Sequence, residues 1–213
     1  MTMFGASVGG LDPAGWNCSE EGEIRNGEPQ CKDEQEYALF KHSQSLETED
    51  VSRMKVAAGG GALVGIAGEG CDVERHDEET YKSTAGVRLD DGTTAIFSDI
   101  SEDGEQHFHP ALLKDRIPKT LPYDLALRIN KVGNMPQVRF NEDGEWHDFA
   151  PEDGAGLKAG RWFPYLQLSA GDRLSDHRVD RPKPTKSAGK IKSAAAAASA
   201  APVDNEAGSG AQE

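Results

Sequence analysis

Two short stretches of this chain carry residue types at spacings that could bind a metal. His107 and His109 flank Phe108. On a strand, residues two apart point to the same side, and paired imidazoles hold a metal that way. Such a site wants a glutamate three or four residues further on. Those places are Leu112 and Leu113, and Pro110 interrupts the run. His76, His147 and His177 are possible third ligands, with nothing fixing their position. A metal-dependent β-barrel enzyme using His107 and His109 is one alternative reading, and exposed loop histidines are the simpler one. Asp99-x-Ser101-x-Asp103-Gly104 copies the first half of a calcium loop. The twelfth place, where a bidentate glutamate belongs, is Pro110. A polar turn accounts for it.

The stretch "AAGGGALVGIAGEG", residues 57–70, holds six glycines and suggests a phosphate cradle. A dinucleotide loop needs G-x-G-x-x-G between a strand and a helix. Counted from Gly59 the last place is Val64, and counted from Gly68 it is Val73. A phosphate loop ends in G-K-[ST], whereas Gly70 is followed by Cys71 and Asp72. An acid there repels phosphate, and Gly65, Gly68 and Gly70 each weaken a following helix. Ala62–Ala67 is expected to be a buried strand, with Gly65 letting a neighbour pack close.

Other catalytic patterns are incomplete. No serine sits in a G-x-S-x-G elbow. Cys18, Cys31 and Cys71 are odd in number and form no C-x-x-C pair, which argues against a disulfide framework or a zinc site. Catalytic residues and cofactors are therefore expected to be none. The net charge of −14 opposes nucleic-acid binding, because phosphates would be repelled. No run approaches the roughly 18 apolar residues of a membrane helix. "MTMFGASVGG" lacks the basic start and apolar run of a secretory signal. The expectation is a cytoplasmic monomer that binds neither nucleic acid nor membrane.

Leu, Ile, Val and Phe are 38 of the 213 residues, a lean supply for a core. The deficit lies at the end: residues 180–213 hold only Ile191 and Val203 of that set. The Ala/Lys/Pro-rich segment 179–213 is expected to be a disordered tail, after a leader at 1–11 and a folded body at 12–178. From Arg181 to Val203 the tail has five basic residues and no acid, so it could tether to an acidic surface.

The body reads as strands. "ALFKH", "ALVGIA", "AGVRL", "TTAIFSD", "LALRIN", "PQVRFN", "WHDFA" and "FPYLQL" are short, rich in branched or aromatic residues and mostly bounded by turn residues. Leu125, Leu127 and Ile129 should share one face, with Arg128 and Asn130 on the other. Asp91-Gly92 and Asp143-Gly144 are hairpin signals with both central residues at positive φ. "DEQEYALFKHSQSLETEDVSRM" is the best helical candidate, for a turn or two. Trp16, Trp146, Trp162, Phe163 and Tyr165 read as core anchors. Many short strands with regular turns imply an all-β antiparallel sandwich or barrel.

Over about residues 12–178 the order of these segments resembles the SPRY domain. "GWNCSEEGEIRNG" looks like its opening strands, and "VSRMKVAAGGGALVGIAGEG" like its apolar-valine-glycine-apolar core strand. "STAGVRLDDGTTAIF" looks like the next hairpin, and "LALRINKVGNMPQVRFNEDGEWHDFA" like the paired strands before a phenylalanine-asparagine-glycine turn. "GRWFPYLQLSAGDRLS" looks like the closing strands, with Phe163-Pro164-Tyr165 in the aromatic-proline-aromatic place. The chain departs from the pattern at "LPYDLALRIN", which lacks the glycine-aspartate start, and at Asn141-Glu142-Asp143-Gly144, where the turn is spread out. The resemblance implies a bent, concanavalin-like antiparallel sandwich that recognises proteins or peptides through loops at one edge, with no shared catalytic residues. Loops 71–83, 98–110 and 114–124 would read the partner, through His76, Tyr81, His107, His109, Arg116 and Tyr123. The other alternative is a lectin-like sugar binder with Trp146 as platform and Asp143 and Asp148 as polar contacts.

Overall fold

The computed structural model describes residues 15–75, 80, 83–100, 106–109, 113–149 and 160–182, with 95–100 and 106–109 as backbone alone. Fourteen strands run through these described residues. They are β1 (Trp16–Cys18), β2 (Gly22–Arg25), β3 (Glu28–Cys31), β4 (Tyr37–His42), β5 (Val51–Ala58), β6 (Leu63–Gly68) and β7 (Thr84–Arg88). After these come β8 (Thr94–Ile100), β9 (Gln106–His109), β10 (Tyr123–Ile129), β11 (Pro136–Phe140), β12 (His147–Asp148), β13 (Trp162–Ser169) and β14 (Arg173–Asp180). Seven form one sheet in the order β1-β4-β13-β6-β7-β8-β9, and five form a second in the order β12-β11-β10-β5-β14. β2 and β3 make a separate hairpin, and every pairing is antiparallel.

Alternation puts the core between the sheets. Phe40, Val64, Ile66, Val87, Leu166 and Leu168 come from the seven-stranded sheet, and Met54, Val56, Leu125, Leu127, Ile129, Val138 and Phe140 from the five-stranded one. All are buried in one cluster. The opposite parity of the same seven-stranded sheet is also covered. Leu39, Leu63, Ala67 and Tyr165 form a second cluster with Cys71 and Val73 from the chain after β6. Burial on both faces explains why β6 is an unbroken apolar run rather than an alternating one. It is the middle strand of its sheet, and Gly65 lies opposite Gly86 of β7. A Cβ on Gly65 would come within 1.9 Å of the Ala85 carbonyl oxygen, so close backbone approach demands glycine there.

Three sequence expectations need correction. The stretch read as a turn or two of helix forms β4, a bridge from Leu46 to Trp162, and the start of β5. Strand alternation decides this: in β5 Ser52, Met54 and Val56 are buried while Val51, Arg53 and Lys55 are not. The two hairpins exist, since Val87 pairs with Thr94 and Val138 with His147. Their turns are not the double positive-φ type. Only Gly92 (φ 74°) has positive φ in the first, and Asn141 (φ 62°) takes that role in the second. Finally, β14, which the resemblance implied only as far as Ser175, runs on to Asp180 and pairs with β5.

Candidate functional site

The glycine-rich loop does cradle an anion, and the anion is the chain's own. Asp172, 5% exposed, accepts hydrogen bonds at Oδ1 from the backbone N–H groups of Gly60 (3.0 Å) and Gly61 (3.3 Å). Its Oδ2 accepts from the N–H of Ser169 at 2.8 Å. Burial pushes this carboxyl above the ordinary carboxylate range, while the three N–H groups pull it back and Asp90 adds a further push upward. A nest of successive N–H groups commonly holds phosphate; here it joins the β5–β6 turn to the β13–β14 turn. At the other end of β6, carbonyl oxygens converge. Lys41 Nζ donates to those of Gly68 (3.4 Å), Glu69 (3.2 Å) and Cys71. Its ammonium also lies 5.1 Å from the Phe163 ring centre.

A polar cluster that sequence reasoning missed closes one margin of the sandwich. Trp16 (β1), His42 (β4) and His177 (β14) pack ring to ring at 4.5–5.0 Å. His177 Nε2 is 3.0 Å from Ser52 Oγ. Burial, with His42 beside it, drives the His177 imidazole down to about 3, so it is neutral at ordinary pH. A hydroxyl beside an imidazole nitrogen is the geometry of an activated nucleophile. Ser52, however, is 0% exposed, so a substrate cannot reach it, and the pair holds β5 to β14.

The outward face of the five-stranded sheet carries a different arrangement. Residues that alternate with core positions point away from the core, and they include Arg53 on β5, Arg128 on β10 and Arg139 on β11, with Arg178 on β14 directly opposite Arg53. Arg53 and Arg139 lie in register on either side of Ala126. Arg53 Nε donates to Asp180 at 2.6 Å. Arg128 Nε donates to Gln137 Oε1 at 2.8 Å, and Gln137 Nε2 donates to Asp148 Oδ1 at 2.7 Å. Trp146 lies over both remaining guanidinium groups, its ring centre 4.2 Å from Arg128 Cζ and 4.8 Å from Arg139 Cζ. Burial, then the charges of Arg53 and Arg128, lower the Arg139 pKa from its ordinary value, against the opposing pull of Glu142 and Asp143. Its Nε is buried without a hydrogen-bond partner. The sequence holds a signal for this cluster: each arginine sits in the outward phase of a strand whose inward phase is apolar.

The sequence-predicted site residues scatter. His76 and Tyr81 lie outside the described residues. His107 and His109 belong to β9 rather than a loop, with His109 opposite Thr94, and their side chains lie outside the description. Arg116 is exposed. Tyr123 is a correction: it opens β10, is 6% exposed and packs edge-on against Phe140, with ring centres 6.3 Å apart. Burial raises its phenol to about 12. It is a core group, out of a partner's reach. The three loops also do not share one edge. The segments joining β6 to β7 and β8 to β9 leave at the end marked by Ala67 opposite Thr84 and Ile100 opposite Gln106. The chain at Leu113 and Lys114 lies beside Gly92, at the other end of those strands. Asp143 and Asp148 do sit near Trp146, but Asp148 is engaged by Gln137, and two guanidinium groups pack against the indole. Among the described residues no three His, Cys, Asp or Glu side chains converge as a metal-binding group. No described helix is long and apolar enough to cross a membrane.

The fold so described is SPRY-like. The PSpry domain of TRIM65 superposes with a TM-score of 0.52 at 10% identity, covering 80% of this chain and 90% of that one. The SPRY domain of human HERC1 gives 0.47 at 12% identity over 80% of this chain and 96% of that one. Carbohydrate binding module CBM66 from Bacillus subtilis gives 0.45 at 13%, over 78% and 96%. No protein-family model matches the chain, and neither does any curated protein. At these identities the likeness is one of fold, and function has to be argued from the site.

Proposed function

We propose that this chain is a noncatalytic protein- or peptide-binding module, and that its principal recognition surface is the Trp146–Arg128–Arg139 platform on the outward face of the five-stranded sheet. The observation that carries this reading is the platform itself. Tryptophan and arginine dominate binding energy where proteins meet, because each offers a large, stiff contact area with a directed polar group. Here a half-buried Trp146 is braced by two guanidinium groups, and Gln137 holds that of Arg128 in place. A surface fixed before binding loses little side-chain entropy when a partner arrives. Arg116, His76, Tyr81, His107 and His109 would add further contacts.

The reading is tested by panning a random peptide library displayed on phage against the full chain and against Arg139→Gln and Trp146→Ala. The expected result is a set of enriched peptides whose binding weakens about tenfold or more in each variant, the size of one hot-spot loss. No enrichment, or enriched peptides that bind both variants as well as the parent, would overturn it.

A further inference from the structure

Arg53, Ala126 and Arg139 form one row across three strands, and Arg128 stands two residues along β10 from the alanine. Strand spacing puts the Arg53 and Arg139 backbones about 10 Å apart, within reach of two guanidinium groups bending toward one point. Ala126 is the small side chain between them and is 3% exposed, so the row has a floor and two arginine walls. Of the nearby acids two are engaged, while Asp124, Glu142 and Asp176 line the same depression as Arg53, Ala126 and Arg178. Asp180 takes Arg53 Nε and lies 3.5 Å from Arg178. Asp148 takes Gln137. Asp124, as far along β10 from the alanine as Arg128 but on its other side, stands opposite Lys55. Glu142 and Asp143 act on Arg139 less than Arg53 and Arg128 do. The Nε of Arg139 has no acceptor, although its neighbours Arg53 and Arg128 repel it. Guanidinium groups gathered along one row are the complement of a carboxylate.

We propose that this row receives a carboxylate side chain from an acidic, extended segment of a partner protein, with Trp146 packing along the segment beside it. The proposal rests on the binding reading above and names its partner class. A planar guanidinium donates two parallel hydrogen bonds to a carboxylate, which gives both strength and direction. The net charge of −14 does not forbid the encounter. At physiological ionic strength, charges beyond about 8 Å are largely screened, so the arginines at the row set the local potential.

The test is fluorescence anisotropy of fluorescein-labelled hexaglutamate with the full chain, with hexaserine as the neutral comparison. Hexaglutamate should bind and hexaserine should not. Arg139→Gln should weaken binding about tenfold, as expected for a fork-like charged contact. Arg139→Lys should fall between, because it keeps the charge and loses the fork. Arg161→Gln removes the same charge from an exposed site just before β13 and should leave affinity within about twofold. An equal loss in Arg161→Gln and Arg139→Gln would overturn the proposal, since only bulk charge would be acting. So would tighter binding of hexaphosphoserine that survives Arg139→Gln. If hexaglutamate is ignored while library peptides still bind through Arg139 and Trp146, the acidic assignment falls and the binding reading stands. If nothing binds, both fall.

Discussion

Gly59 and Gly60 are adjacent and chemically identical, yet replacing each by alanine should give opposite results. Gly59 has φ of 88°, and a Cβ there would sit 1.9 Å from Asp172 Oδ1 and 2.6 Å from Asp172 Cα. An L-residue in this left-handed region costs about 1–2 kcal/mol before any collision. The collision must also displace the carboxylate from Gly60 and Gly61, and a hydrogen bond to a charged group is worth about 1.5–3 kcal/mol. With partial relaxation, a loss of about 3–4 kcal/mol is expected for Gly59→Ala. In a domain of this size that lowers Tm by roughly 8–14 °C. Gly60 has no positive φ, and its Cβ would meet nothing nearer than Asp90 at 4.0 Å. Gly60→Ala should be neutral or stabilise by up to about 1 kcal/mol, because alanine restricts the unfolded chain. Urea unfolding followed by tryptophan fluorescence measures both. If the two variants lie within about 1 kcal/mol of each other, the Asp172 cradle is not what fixes this loop.

Three further outcomes follow from the same geometry. Gly65→Ala should cost more than about 3 kcal/mol or prevent folding, since its Cβ meets backbone on β7 that cannot yield; the folded yield by size-exclusion chromatography reads it. His177 should make stability fall on acidification. Its folded pKa of about 3 lies below its ordinary 6.5, so between those values the unfolded chain binds the extra proton and stability rises with pH. Tm measured from pH 7 down to pH 4 should drop less steeply in His177→Asn than in the parent, and parallel slopes would refute this. Lys41→Met strips the donor from the carbonyls of Gly68, Glu69 and Cys71 and should cost about 1–3 kcal/mol. The accompanying rise in amide exchange should be local to residues 68–75.

Elements whose two faces differ were legible in the sequence. Leu125, Leu127 and Ile129 are buried together, with Arg128 facing out, as alternation demands. β6 was legible because an apolar run between glycines has few other uses. β14 was legible only to Ser175, through the resemblance, because "RLSDHRVD" has no regular alternation: its pairing with β5 shifts register between Ser175 and Arg178, and only Leu174 is fully in the core. β5 hid inside a charged stretch whose spacing also allowed helical turns. Tyr123 fell in the 114–124 loop because the strand was read only from Leu125; its burial comes from β11, which the local sequence does not show. The arginine row joins positions 53, 128 and 139, which only the strand register brings side by side. The same holds for Trp16, His42 and His177, drawn from three strands far apart in the chain. Local chemistry sets the strands, and the register that assembles a site is a property of the pairings.

The most direct test of the binding account is a two-dimensional nitrogen–proton spectrum of the full chain titrated with hexaglutamate, read at the arginine Nε–H and indole N–H signals. The account predicts progressive shifts at Arg139 Nε–H and the Trp146 indole, with smaller ones at Arg53 and Arg128, and no change at the Trp16 indole, which is 2% exposed. Shifts confined to residues 113–120 or 69–75, with Arg139 and Trp146 unmoved at saturation, would contradict it and place recognition at the ends of the sandwich instead.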